Sequence, residues 1–243
     1  MSYKFAAVAV LLPALALLNQ SPAQAADTAP WKAEVEAGVI NTTGNTESRS
    51  INAKARGEFN TTDWRHKASL ESLVTSDAAS GTTAERYYIA EKSDRKFTDS
   101  PSYIFEQIDY EADRFSGYTY RSTLILGYGR TLLKQDDLAL DTEIGAGYRK
   151  SEETATSNVL EESIGRVGAN LDWAITSHSA FREAISIDAG SEATISKSVT
   201  SLKAQVNGNL ATKLTYTIKN TSKVPVGNKK TDTETAFTLV YSF

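Results

Sequence analysis

The chain has 243 residues, 40% of them hydrophobic and 23% charged, with 26 lysines and arginines against 30 aspartates and glutamates. A formal charge of −4 supplies no basic excess for a nucleic-acid partner, and none is expected. The absence of cysteine excludes disulfide scaffolds, thiol catalysis and cysteine-bound metal.

At the N-terminus, Lys4 precedes an uncharged run over 5–18 and a polar stretch ending Ala23-Gln24-Ala25. A basic start, an apolar middle and a small-x-small site read as a secretory signal peptide cleaved after Ala25. The run falls short of the roughly 20 residues that span a bilayer, so a helical anchor is the weaker reading. The expected division is a signal peptide over 1–25 and one domain over 26–243. Losing Lys4 takes the formal charge from −4 to −5. No cysteine stands at the cleavage site to be acylated.

Beyond this segment the chain has no long apolar run, and its mean hydropathy is negative. A membrane β-barrel has the same profile, because only every second residue of each strand faces lipid. Local alternation has to decide. Trp31, Ala33, Val35, Ala37 and Val39 alternate with Lys32, Glu34, Glu36 and Gly38. Ile51, Ala53, Ala55, Gly57 and Phe59 alternate with Asn52, Lys54, Arg56 and Glu58. In the middle of the chain, Leu124, Leu126 and Tyr128 share a parity opposite to Arg121, Thr123, Gly127 and Gly129. After Gln135-Asp136-Asp137, Leu138, Leu140, Ile144 and Tyr148 alternate with Asp141, Glu143, Gly145 and Arg149. Folding about Asp136 puts both apolar rows on one face. Val167, Ala169, Leu171 and Trp173 then alternate with Arg166, Gly168, Asn170 and Asp172.

The apolar rows are rich in alanine and the opposite rows carry full charges of both signs. Lipid covers alanine without a packing partner, whereas a sandwich core needs bulk to reach interior density. Strands are expected at 32–41, 47–59, 64–75, 84–94, 103–112, 117–132, 138–150, 159–174, 180–190, 198–210, 213–223 and 232–243, about twelve in all. Tyr87, Tyr88, Tyr103, Phe105 and Tyr110 break a single parity in the fourth and fifth. With both termini periplasmic, the longer connections fall outside the cell and the short ones inside, except for a long periplasmic one near 93–101. The last strand places Phe237, Leu239, Tyr241 and Phe243 on one face, where it closes the barrel against the first strand and serves as the assembly signal. The expected fold is all-β, an antiparallel transmembrane β-barrel of about twelve strands after a cleaved signal peptide.

Thr42-Thr43-Gly44-Asn45-Thr46, the segment from Tyr110 to Tyr118 containing Asp113-Arg114-Phe115-Ser116-Gly117, and Arg121 with Leu126-Gly127-Tyr128-Gly129 read physically as turns with flanking strands. Together with the terminal Phe243, they resemble the YdiY-like family of salt-induced outer-membrane proteins, a domain of unknown function. The resemblance covers the whole of 26–243. It implies a barrel in the bacterial outer membrane whose production responds to salt, and it carries no catalytic residue or cofactor.

Barrel enzymes need a histidine at a rim or on the outer face. This chain has His66, near a strand end beside Trp64, and His178, in a short turn. No G-x-S-x-G elbow or metal-ligand spacing accompanies them, so no enzyme is expected. The inner rows are more informative. Lys54, Arg56, Arg65, Lys67, Arg121, Asp141, Glu143, Arg149 and Arg166 are the candidate lumen-lining residues. They either line a passage for small charged solutes or pair to fill a structural barrel. In a passage, the balance of signs sets a basic wall along 47–59 and 64–75 against an acidic wall along 32–41 and 138–150, with a transverse field favouring zwitterionic or anionic solutes. Gly127 and Gly145 face each other across the hairpin, leaving room for a solute or bending the wall. The expected surroundings are outer-membrane lipid and lipopolysaccharide, with the barrel-assembly machinery during insertion, and the expected state is a monomer.

Overall fold

The structure, a computed structural model, describes residues 30–43, 48–77, 81–113 and 116–243. The segment read as a signal peptide, turn residues 44–46 and the pair Arg114-Phe115 lie outside the described residues.

Among the described residues, twelve strands make up the fold: β1 (Trp31–Thr43), β2 (Ser48–Asn60), β3 (Trp64–Asp77), β4 (Gly81–Lys96), β5 (Ser102–Asp113), β6 (Tyr118–Lys134), β7 (Leu138–Glu153), β8 (Val159–Thr176), β9 (Ser179–Gly190), β10 (Thr194–Asn207), β11 (Leu210–Thr221) and β12 (Thr231–Ser242). Each pairs antiparallel with its chain neighbours, and β12 pairs back onto β1. At this seam Ala37 lies opposite Leu239 and Val39 opposite Phe237, and the Phe243 amide donates to the Ala33 carbonyl at 2.9 Å. Closure leaves no strand edge with unpaired backbone groups, as a segment surrounded by lipid requires.

Alternation assigns every strand an outer and an inner face. Leu126, Ile144 and Val167 are outside and about 60% exposed, while Glu36, Arg121, Arg149 and Arg166 are inside and buried. A water-soluble barrel has the reverse arrangement. Trp31, Phe59, Trp64, Trp173 and Tyr241 mark the outer face near the short turns, and Tyr87, Tyr110, Tyr120 and Tyr148 mark it towards the other end. Amphipathic rings in two bands fit the two boundaries of a bilayer.

The aromatic residues that break parity on β4 and β5 divide between the faces. Tyr87 and Tyr110 point out, while Tyr103 and Phe105 are inside at 3% exposure. There they pack with Ile125 and Ile164 as an apolar cluster inside the ring. The inward glycines of β6 accommodate them. A Cβ on Gly127 would stand 2.5 Å from the Phe105 ring, and one on Gly129 would overlap Tyr103. The space expected beside Gly127 and Gly145 is therefore filled by protein. Gly127 does lie opposite Gly145.

Most strand boundaries differ from the sequence expectation by one to four residues, and two of the differences move a turn. The hairpin expected to turn near Thr212 turns instead at Gly208-Asn209, so Leu210 opens β11. Gly208, at a φ of 31°, stands first in this two-residue turn, a place that favours glycine, and that signal outweighs the alternation that continues through it. β4 also runs on to Lys96, which shortens the following connection to 97–101 and brings it close to the other short turns.

Candidate functional site: the inner face and its cavity

Ion pairs organise the interior at several levels. On the seam side, Glu36 of β1 accepts from Arg56 at 2.7 Å and from Lys213 at 2.6 Å. Lys54 pairs with Glu71 on the adjoining strand, and Lys203 with Glu34 three strands away. Lys67 is looser, 4.0 Å from Glu58.

Around the wall from Arg65 on β3 to Asp188 on β9 the contacts are tighter. Arg65 donates to Asp94 at 2.6 Å and to Asp141 at 3.3 Å, with its guanidinium 5.0 Å from the Tyr103 ring centre. Glu143 accepts from the Tyr103 hydroxyl at 2.8 Å and pairs with Lys92. Arg166 grips Asp188 with two bonds of 2.5 and 2.6 Å. Arg149, 2% exposed, donates to one oxygen of Glu162 at 2.8 and 2.6 Å. The other Glu162 oxygen accepts the backbone amides of Glu192 at 2.7 Å and Ala193 at 3.4 Å. Arg149 also bonds the Ala193 carbonyl, so this pair draws the β9–β10 turn into the barrel mouth. Charges buried to this degree are tolerated only with partners of this kind, and of the Arg149 nitrogens Nη1 is buried without one.

A cavity of about 1140 Å³ occupies the remaining interior. Lys32, Asp137 and Asp172 line it near the short turns, and Tyr118, Val224 and Lys229 line it at the opposite end. It therefore extends from one mouth of the ring to the other. Of the nine residues singled out by parity, Lys54, Arg56, Lys67 and Arg121 line it. Arg65, Asp141, Glu143, Arg149 and Arg166 also turn inward but are not part of its lining, and of their ion-pair partners Lys92 is.

The expected opposition of a basic and an acidic wall is replaced by local pairing. Lys54, Arg56 and Arg65 each have a carboxylate partner, so most of their field is cancelled at contact distance. The cause is register: Lys54 lies directly opposite Glu71, and Arg56 opposite Glu34 beside Glu36. Parity alone missed Arg86, Tyr88, Lys197, Lys219 and Glu234, all on the cavity wall. The row Lys213-Thr215-Thr217-Lys219, alternating with Leu214, Tyr216 and Ile218, carried that signal for β11.

The two histidines are peripheral. His178 sits in an exposed turn, with Nδ1 2.8 Å from Ser177. His66 stacks on Trp64 at 5.5 Å, and its Nδ1 lies 2.7 Å from the Ser93 hydroxyl, which donates to Glu91 at 2.6 Å.

Two solved barrels share the architecture. The NanC porin matches with a TM-score of 0.57 and 10% identity, over 85% of this chain and 98% of that one. The translocator domain of autotransporter NalP from Neisseria meningitidis matches at 0.53 and 10%, over 88% of each chain. A porin and a translocator on one architecture mean that the fold does not specify the cargo. In sequence, the chain is 27% identical over 216 residues to uncharacterized protein YdiY of Escherichia coli (strain K12), covering 88% of this chain and 83% of that protein. Residues 35–243 match the model of the family described as "Protein of unknown function, DUF481", and the chain belongs to that family.

Proposed function

We propose that the protein is an outer-membrane barrel through which small charged solutes pass by diffusion. One observation carries this reading: the cavity of about 1140 Å³ that reaches both mouths between paired charges. Its walls offer donors and acceptors of both signs, and a charged solute can exchange its hydration for them. In this reading the segment 1–25 exports the chain, the short turns face the periplasm, and lipid and lipopolysaccharide surround the apolar outer face as the protein works as a monomer. The barrel-assembly machinery would recognise the β12 face formed by Phe237, Leu239, Tyr241 and Phe243. A response of expression to external salt belongs to the same proposal, and immunoblots of cells grown at low and high salt test it.

A second reading has its own support. Tyr103, Phe105, Ile125 and Ile164 fill part of the ring, as they would in a structural envelope barrel without transport. Purified protein in planar lipid bilayers separates the two. Discrete conductance steps are expected for a passage, and persistent silence of folded protein at high load would leave the structural barrel.

A further inference from the structure

Three contacts cross the cavity from one wall to the opposite wall. Lys219 on β11 lies 2.5 Å from Glu111 on β5, and these strands are six apart in either direction around the ring. Lys197 on β10 places its ammonium 5.5 Å from the ring centre of Tyr88 on β4, again six strands away. Arg86 on β4 forms a two-bond ion pair with Glu234 on β12, four strands away. All six side chains line the same cavity. They also cluster along the strands. Tyr88 is the register partner of Glu111, Lys197 is that of Lys219, and Arg86 and Glu234 lie one inward position away on β4 and β12. The bridges thus form one layer across the lumen, on the side nearer the β11–β12 loop.

Resting on the passage reading, we propose that this layer is the filter of the passage and that the solute class it admits best is a zwitterion carrying both a carboxylate and an ammonium group. A lone anion approaching Lys219 displaces Glu111 and leaves two negative charges together in a narrow space. A lone cation has the converse difficulty at Arg86 and Glu234. A zwitterion replaces both partners at once, its carboxylate on Lys219 or Lys197 and its ammonium on Glu111, so no buried charge is left unpaired. Lys197 has no carboxylate within ion-pair distance among the described residues. It can therefore turn towards an incoming carboxylate and free the Tyr88 face for the solute ammonium, an aromatic site that attracts cations.

The test uses full-length mature protein in liposomes and planar bilayers, with folding checked by heat-modifiable gel mobility. The probes are 4-aminobutanoate, butanoate and butylammonium. Wild-type protein is expected to pass 4-aminobutanoate several-fold faster than either singly charged probe. The pair Glu111→Gln with Lys219→Met removes one bridge, and Arg86→Met with Glu234→Gln removes another. Each pair is expected to raise conductance at 0.1 M salt about two-fold or more and to reduce the preference for 4-aminobutanoate towards unity, where charge screening is still weak. Channels that conduct equally with and without the bridges, or show equal rates for all three probes, would overturn the filter while leaving the passage intact. Silence of wild type and both folded pairs would overturn the passage itself.

Discussion

The ring of Phe105 on β5 occupies the place that a side chain on residue 127 of β6 would need, with two ring carbons 2.5 Å from the position of a Cβ there. The hydrogen at Gly127 is thus what lets an aromatic residue lie flat against the inner wall. Gly127→Val should expel the ring or push the hairpin apart, costing about 1–3 kcal/mol as overpacking usually does. Gly57→Val faces outward with nothing within 4 Å of its Cβ and should leave stability unchanged. Urea midpoints in lipid vesicles compare the two. Equal midpoints would show that the Phe105 contact does not constrain the wall.

Glu161 and Glu162 are adjacent and face opposite ways. Glu162 holds buried Arg149 and the β9–β10 turn, whereas Glu161 pairs with Lys150 on the outside at 2.9 Å. Glu162→Ala should strand the Arg149 guanidinium at a cost of about 3–5 kcal/mol. It should also release the turn at 191–193 to protease. Glu161→Ala should leave both the midpoint and the digestion pattern unchanged. A Glu162→Ala protein with wild-type stability and protection would rule out this anchoring role.

The closing strand offers an assembly test. Leu239 is on the outer face, 53% exposed, opposite Ala37 at the seam. Leu239→Asp puts a charge where lipid is expected, and deletion of Phe243 removes its backbone bond to Ala33. Each should lower the heat-modifiable fraction recovered from outer membranes several-fold. Full recovery of both variants would mean that β12 does not present the assembly signal.

Arg56 and Lys67 both line the cavity, and Lys67 is held only by a 4.0 Å contact. Changing both to Glu should move the reversal potential in a salt gradient towards cation preference, since Glu36 keeps Lys213 as its partner. Lys150→Glu, on the outer face, serves as the control and should leave the potential where it is. If the double variant conducts with an unchanged potential, ions do not pass these side chains.

The barrel itself was legible in the residues. Period-two alternation of apolar and charged side chains assigns inner and outer faces strand by strand, and the outer row of Phe237, Leu239 and Tyr241 emerges from that rule alone. Alternation is a local property, so no long-range information is needed to read it. For the same reason it placed Lys54, Arg56 and Arg149 indoors but could not say which of them meet open space. That depends on ring closure and register. Only they bring Lys219 to Glu111 across six strands, and only they seat Phe105 on Gly127, where room for a solute or a bend of the wall was expected. Charge counts along single strands suggested separated basic and acidic walls, yet neighbouring strands in register put Lys54 beside Glu71 and Arg56 beside Glu34 and Glu36. Direction was written into each strand; which side chains share a neighbourhood was decided only when twelve strands closed into one ring.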